Sequence, residues 1–177
     1  TEVLVDVALR WAKGSGRADL TALDLGTGSG CIALSLLREG GFARVVATDV
    51  SPEAAAVAGA NAERAGLSGR LDLRVGELWE PLGAGEGFDL VISNPPYVAA
   101  GEAPDLAPEV RDWEPAGALF AGPEGLDLLD RIVDGAASRL GSGGGLALEV
   151  GLGQADRGAA RARGAGVADA RGLRDRS

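Results

Sequence analysis

Asp24-Leu25-Gly26-Thr27-Gly28-Ser29-Gly30 lies between an apolar run, Leu20–Leu25, and an apolar helical pattern, Cys31–Arg38. A strand that passes through a tight glycine turn straight into a helix has this form. Alternating glycines lack the Cβ atoms that keep a backbone away from a ligand, and three of them before a helix are costly unless something binds there. The alternative is a bare strand–helix turn. A dinucleotide fingerprint would place glycine at the sixth position of the motif, which here holds Cys31, so a pyrophosphate ligand is disfavoured.

Outward from this loop the chain alternates. Residues 2–12 carry Val3, Leu4, Val7, Ala8 and Trp11 at helical spacing, and Gly14-Ser15-Gly16 is a natural stop. Besides Leu20–Leu25, the runs Val45–Asp49, Leu71–Val75, Phe88–Ser93 and Leu146–Val150 read as strands, mostly buried on both faces. Helical patterns fill Cys31–Arg38, Pro52–Ala65 and Leu126–Leu140, and Ser51-Pro52-Glu53 supplies an N-cap, a first-turn proline and a first-turn acid. The expected fold is α/β, with a mainly parallel central sheet and helices on both faces. Gly141–Gly145 reads as a loop, and residues 152–177, rich in Ala, Gly and Arg, as a weakly packed C-terminal segment.

At 177 residues the expectation is one domain spanning 1–177. A net charge of −9 and a pI near 4.5 set a negative field that repels phosphate backbones, so no stable nucleic-acid partner is expected. The single cysteine, Cys31, permits no internal disulfide and no thiolate metal cluster, which suits a reducing cytoplasmic setting. The absence of histidine removes serine–histidine triads and histidine-ligated metals, so no metal site is expected. No apolar run approaches the ~20 residues of a membrane span, and no membrane partner is expected.

Asp49 ends the second strand some ~20 residues beyond the glycine loop, where an acidic side chain can accept both ribose hydroxyls of a nucleoside. The bland reading of such an acid is a helix cap or a solvated carboxylate. The loop's spacing resembles the S-adenosylmethionine loop of class I methyltransferases, which makes Asp24, Gly26, Thr27, Gly28, Ser29, Gly30 and Asp49 the candidate cofactor residues. After the third strand, Glu77 is placed to accept from an adenine amino group and Leu78 to cover the ring, while Trp79 reads as core packing.

Ser93-Asn94-Pro95-Pro96-Tyr97 follows the fourth strand and so falls at the carboxyl edge of the sheet, where open α/β folds place ligands. Two prolines remove two backbone donors and stiffen the segment, leaving the Asn94 side-chain oxygen and the Pro95 carbonyl as fixed acceptors. Such a pair suits an NH2 group on a planar acceptor, against which Tyr97 offers an aromatic face. A Pro-Pro turn capped by asparagine is the structural alternative. Asn94, Pro95, Pro96 and Tyr97 are the candidate catalytic residues, with Asn94 also beside the cofactor.

With these motifs the chain resembles the release-factor glutamine methyltransferases. Further matching stretches are Thr1-Glu2, Asp49-Val50-Ser51-Pro52, Asn61-Ala62-Glu63, Glu109-Val110-Arg111, Glu114-Pro115, Gly125-Leu126-Asp127 and Glu149-Val150-Gly151. The resemblance implies a class I, Rossmann-like catalytic domain. It implies methyl transfer from S-adenosylmethionine to the glutamine of the Gly-Gly-Gln motif in peptide-chain release factors, with S-adenosylhomocysteine as product. Members usually begin with a helical domain, and this sequence starts where the catalytic domain would begin. Arg174-Asp175-Arg176 resembles the last motif in an abbreviated form, and Glu77 stands where aspartate is commoner. Two other functions fit parts of the pattern. One is a DNA or RNA exocyclic-amino methyltransferase using the same Asn-Pro-Pro-Tyr site, which the acidic charge disfavours. The other is a non-catalytic cofactor-binding subunit, which would have no use for a stiff amino-group clamp.

Overall fold

The protein is represented by a computed structural model that describes residues 1–98, 101, 125–151 and 153–167. It divides into two compact units, one of Thr1–Asn94 with Ser138–Glu149 and one of Pro95–Ala137 with Val150–Ser177.

In the first unit, α1 (Glu2–Ser15) precedes β1 (Leu20–Leu25), α2 (Cys31–Glu39), β2 (Phe42–Asp49), α3 (Pro52–Ala65), a 3-10 turn (Ser68–Arg70), β3 (Leu71–Val75) and β4 (Phe88–Ser93). Helix α4 (Asp127–Arg139) then leads into β5 (Leu140–Leu148). The five strands pair in parallel in the order β3-β2-β1-β4-β5. The winding direction therefore reverses between β1 and β4, and a crevice opens at the carboxyl ends of strands where such a reversal occurs. The register brings those ends level, pairing Leu25 with Thr48, Leu25 with Ser93, Asp49 with Val75 and Ser93 with Leu148.

Period-2 alternation divides the strand residues between the two faces of the sheet. Leu20, Ala22, Val45, Ala47, Leu90 and Ile92 join Leu4, Ala8 and Ala12 of α1 and Ile32, Ala33, Leu36 and Leu37 of α2 in one buried cluster. Asp24 continues the Leu20–Ala22 row and is as deeply buried as its neighbours. The central strands β1 and β4 are buried nearly throughout, whereas β3 and β5 are only half-buried, as their places at the ends of the strand order dictate. The expectation of strands buried on both faces thus holds for the centre of the sheet and not for its edges. In the second unit Leu126, Leu129, Ile132, Val133 and Ala136 are buried. Helix α5 (Ala155–Gly164), inside the segment read as weakly packed, buries Ala162 and joins Arg161 to Asp130 and Asp134.

Several boundaries differ from the sequence reading: α2 ends at Glu39, α4 covers Asp127–Arg139 in place of Leu126–Leu140, and β5 ends at Leu148 in place of Val150. Helix α1 runs through Gly14 to Ser15 before Gly16 ends it in the left-handed conformation, and β2 starts at Phe42, whose side chain is fully buried. The larger correction is Gly141–Gly145, read as a loop and found inside β5. Phe88 pairs with Leu140 and Leu90 with Gly145, so the register shifts and a bulge absorbs the extra residues. Glycine is required there by proximity. A Cβ built on Gly144 would lie 2.9 Å from the Gly141 carbonyl oxygen and 3.1 Å from that of Asp89, and one on Gly145 would lie 3.0 Å from the Trp11 ring.

Gly144→Ala should therefore destabilise the protein by about 1–3 kcal/mol, because backbone carbonyls cannot move aside cheaply. Gly141→Ala, whose Cβ would meet nothing closer than the Phe88 carbonyl oxygen at 3.8 Å, should be nearly neutral. Urea denaturation midpoints check the pair, and equal shifts would remove the packing explanation for the glycine run.

Candidate functional site

The glycine loop is held to the sheet by its own backbone. The N–H groups of Gly26 and Thr27 both donate to the Thr48 carbonyl, at 2.9 and 3.0 Å, so the turn after β1 is pinned to the end of β2. Gly26, Gly28 and Gly30 have φ of 69°, 56° and 82°, a region in which a side chain is strained. Their surroundings differ. A Cβ at Gly26 or Gly28 would meet nothing within 4 Å, whereas one at Gly30 would stand 3.0 Å from Ala58 Cβ on α3. The first two glycines thus serve backbone shape and close approach, and the third also serves helix packing. Asn61 of α3 donates to the Ser29 carbonyl at 2.8 Å and steadies the loop from the same side.

Two carboxylates flank the loop. Asp49 is half-buried and accepts from Gly28 N–H through Oδ2 at 2.8 Å and from Ser51 N–H through Oδ1 at 2.9 Å. It therefore organises the loop, and each oxygen keeps a second lone pair. Asp24 is fully buried; its Oδ2 accepts from the Thr27 hydroxyl at 2.6 Å, while Oδ1 has no hydrogen-bond partner. Burial pushes the Asp24 carboxyl up to about 6, opposed by the Thr27 hydroxyl and the Ala33 N–H in the first turn of α2 and reinforced by the charge of Asp49.

Beyond β3 the chain turns at Gly76, whose N–H donates to the Asp49 carbonyl at 2.9 Å. Leu78 follows with φ of 46°, a strained value for a residue with a side chain, and its carbonyl lies 3.4 Å from the Thr48 hydroxyl. Glu77 is half-buried next to it. Trp79 is half-buried with the Arg139 guanidinium 5.9 Å from the centre of its ring, outside the buried core in which it was expected. Arg74 forks onto Glu86 at 2.7 and 2.9 Å and so closes the segment that contains this turn.

At the end of β4 the Ser93 hydroxyl donates to the Leu25 carbonyl at 2.6 Å, tying the root of Asn94 to the root of the glycine loop. Asn94 Nδ2 donates to Thr1 Oγ1 at 2.8 Å, and Glu149 N–H donates to the Ser93 carbonyl at 3.0 Å. The candidate residues Asp24 to Gly30, Asp49, Leu78 and Asn94 are thus linked through Leu25, Thr48 and Ser93 along one edge of the sheet. Pro95, Pro96 and Tyr97 belong to the second unit, where Pro95 is buried and the Tyr97 carbonyl accepts from Gln154 Nε2 at 3.0 Å. Of the other matching stretches, Glu109-Val110-Arg111, Glu114-Pro115 and Arg174-Asp175-Arg176 lie outside the described residues. Sequence reading assigned no role to Thr1, Asn61, Ser93 or Glu149. Thr1, Asn61 and Glu149 stood in stretches already noted as family-like, and that was the available signal.

Asp24 gives a pH dependence of fixed sign. Its pKa is about 6 in the fold against 3.8 for an ordinary aspartate, so the native state binds the extra proton between those values and stability falls as pH rises through them. Above pH 6 the buried charge costs on the order of 3 kcal/mol. Asp24→Asn keeps an acceptor for Thr27 and removes the charge. It should raise the stability of the ligand-free protein at pH 7 by about 1–3 kcal/mol and flatten its dependence between pH 4 and 6, read by urea unfolding across that range. An unchanged slope would contradict the burial of a titrating carboxyl here.

Residues 10–110 match the family model described as methyltransferase small domain. The chain is 46% identical over 168 residues to a release factor glutamine methyltransferase of Cereibacter sphaeroides, covering 95% of this chain and 58% of that protein. It is 46% identical over 156 residues to one of Geobacter sulfurreducens, covering 88% of this chain and 52% of that protein. The chain therefore spans little more than half the length of these relatives. Among solved structures, the ribosomal protein L11 methylase of Lactobacillus delbrueckii subsp. bulgaricus superposes with a TM-score of 0.64 at 21% identity, over 93% of this chain and 69% of that one. The last likeness is one of fold, and it agrees with the parallel sheet and its switch point. A glycine loop pinned between the first two strands, on a class I methyltransferase fold matched by the family model over more than half its length, places this chain in the methyltransferase small domain family.

Proposed function

We propose that this chain is the catalytic domain of a protein-(glutamine-N5) methyltransferase that modifies the Gly-Gly-Gln glutamine of peptide-chain release factors in the cytoplasm. The observation that carries the reading is the placement of Asn94. It stands one residue beyond Ser93, whose hydroxyl is bonded at the root of the glycine loop, so an amide-binding group and a candidate cofactor loop share one strand edge. The 46% identity to release factor glutamine methyltransferases supports the choice of acceptor.

S-adenosylmethionine, when bound, supplies a methyl group on a sulfonium centre. The donor set fits it. The unpartnered, buried Asp24 Oδ1 suits an ammonium, the second lone pairs of Asp49 suit ribose hydroxyls, and Gly26, Thr27, Gly28, Ser29 and Gly30 offer backbone without obstructing side chains. Glu77 and Leu78 are assigned to the adenine. On the acceptor side, the Asn94 oxygen and the Pro95 carbonyl take the two amide hydrogens. Fixing both hydrogens aligns the nitrogen with the methyl group and favours the pyramidal form in which its lone pair leaves the amide π system. Tyr97 packs on the flat amide. The nitrogen–carbon bond would form as the sulfur–methyl bond breaks, leaving S-adenosylhomocysteine as the neutral thioether; the methylated nitrogen is acidic, and its proton passes to carbonyl or water without a dedicated base, as suits a chain with no histidine.

Mass spectrometry of a release factor after incubation with this chain and S-adenosylmethionine should show one added methyl on the peptide containing Gly-Gly-Gln. Methylation of an oligonucleotide instead would favour the nucleic-acid alternative. Asp49→Ala should weaken S-adenosylhomocysteine binding by on the order of 1.5–3 kcal/mol by calorimetry, and undiminished affinity would move the ribose site elsewhere. Asn94→Ala should lower turnover by roughly 100- to 1,000-fold while leaving S-adenosylhomocysteine affinity nearly unchanged. Full methylation by that variant would end the clamp assignment.

A further inference from the structure

A side-chain amide has two ends of nearly the same shape and opposite hydrogen-bonding character, and its terminal torsion is broad and roughly two-fold. A clamp built on asparagine therefore works only if the rest of the protein decides which end faces the acceptor. Asn94 Nδ2 donates to Thr1 Oγ1 at 2.8 Å. Thr1 is the N-cap residue of α1, yet its side chain makes no capping hydrogen bond. Threonine at that place ordinarily uses its oxygen on the first-turn amides, a contribution of about 1 kcal/mol that is forgone here. On the other side, the Thr1 nitrogen lies 2.7 Å from Glu149 Oε2, and the Glu149 N–H is bonded to the Ser93 carbonyl. The start of α1 and the ends of β4 and β5 thus converge on one asparagine.

We propose that Thr1 and Glu149 are positioning residues that fix the orientation of the Asn94 amide and so make the site selective for a nitrogen carrying hydrogens. The proposal rests on the reading of Asn94 as the acceptor clamp. Glu149 holds the Thr1 nitrogen and so keeps the Thr1 hydroxyl beside Asn94, where it accepts from the NH2 end of the amide. The carbonyl end, Oδ1, is then the one presented away from Thr1, toward a donor and a developing positive charge. A reversed amide would offer N–H to N–H, bind no amide nitrogen, and recognise a carbonyl or carboxylate instead. Thr1 acts through Asn94 and touches neither acceptor nor cofactor.

The test compares Thr1→Val, which keeps shape and loses the hydroxyl, with Thr1→Ser, which keeps the hydroxyl, and with Glu149→Gln. Single-turnover methylation of a release factor with S-adenosylmethionine should slow roughly 10-fold in Thr1→Val and recover to near the parent rate in Thr1→Ser, the size expected for one hydrogen bond. Glu149→Gln should slow it by less, and S-adenosylhomocysteine affinity should stay within about two-fold in all three. In an Asn94→Ala background, Thr1→Val should add nothing. If it slows transfer equally in both backgrounds, the hydroxyl merely supports α1 and the proposal fails. A readout independent of activity is the Asn94 side-chain NH2 signal in nitrogen-15 NMR, identified by its loss in Asn94→Ala. It should move in Thr1→Val and stay in Thr1→Ser. An unmoved signal overturns the positioning contact, whereas a moved signal in a parent that methylates no glutamine keeps the contact and overturns the functional reading.

Discussion

One carbonyl oxygen, that of Thr48, accepts from both Gly26 and Thr27, and the geometry of the sheet edge depends on that pair of hydrogen bonds. It sets the exit angle of β1, and with it the start of α2, whose apolar face supplies much of the core. It also holds Gly28 where its N–H meets Asp49, so the loop and the acid on the next strand form one unit before any ligand arrives. Parallel pairing makes this possible, because only strands running the same way bring their carboxyl ends level across neighbours.

The same edge carries a cost. Asp24 lies in a row that is otherwise apolar, fully buried, with one oxygen unpartnered. Burying a carboxylate without full pairing is among the most expensive choices open to a fold. It is offset locally by the Thr27 hydroxyl and by the Ala33 N–H at the start of α2.

Much of the architecture was legible because its signals are local. Leu20–Leu25, Leu71–Val75 and Phe88–Ser93 were bounded correctly by apolar runs and turn residues, and Pro52–Ala65 by its N-cap serine and first-turn proline. The glycine bulge of β5 was not legible. Its cause is the nearness of the Asp89 carbonyl and the Trp11 ring, groups remote in sequence that composition cannot reveal. The site divides in the same way. The glycine loop, Asp49 and Asn94 stood out as motifs, but the bond from Asn94 to Thr1 crosses 93 positions and that from Ser93 to Leu25 crosses 68. A motif names the groups in a site; only the fold names what orients them.

The close approach of Gly30 to Ala58 joins the glycine loop to α3 at a second point beside the Asn61 hydrogen bond. Ala58 is fully buried on α3, one face of which lies behind the glycine loop. Any enlargement at position 58 must push either α3 outward or the loop forward. The position of the loop is therefore open to adjustment from behind, by natural drift or by design, at a buried residue and with every loop glycine left in place.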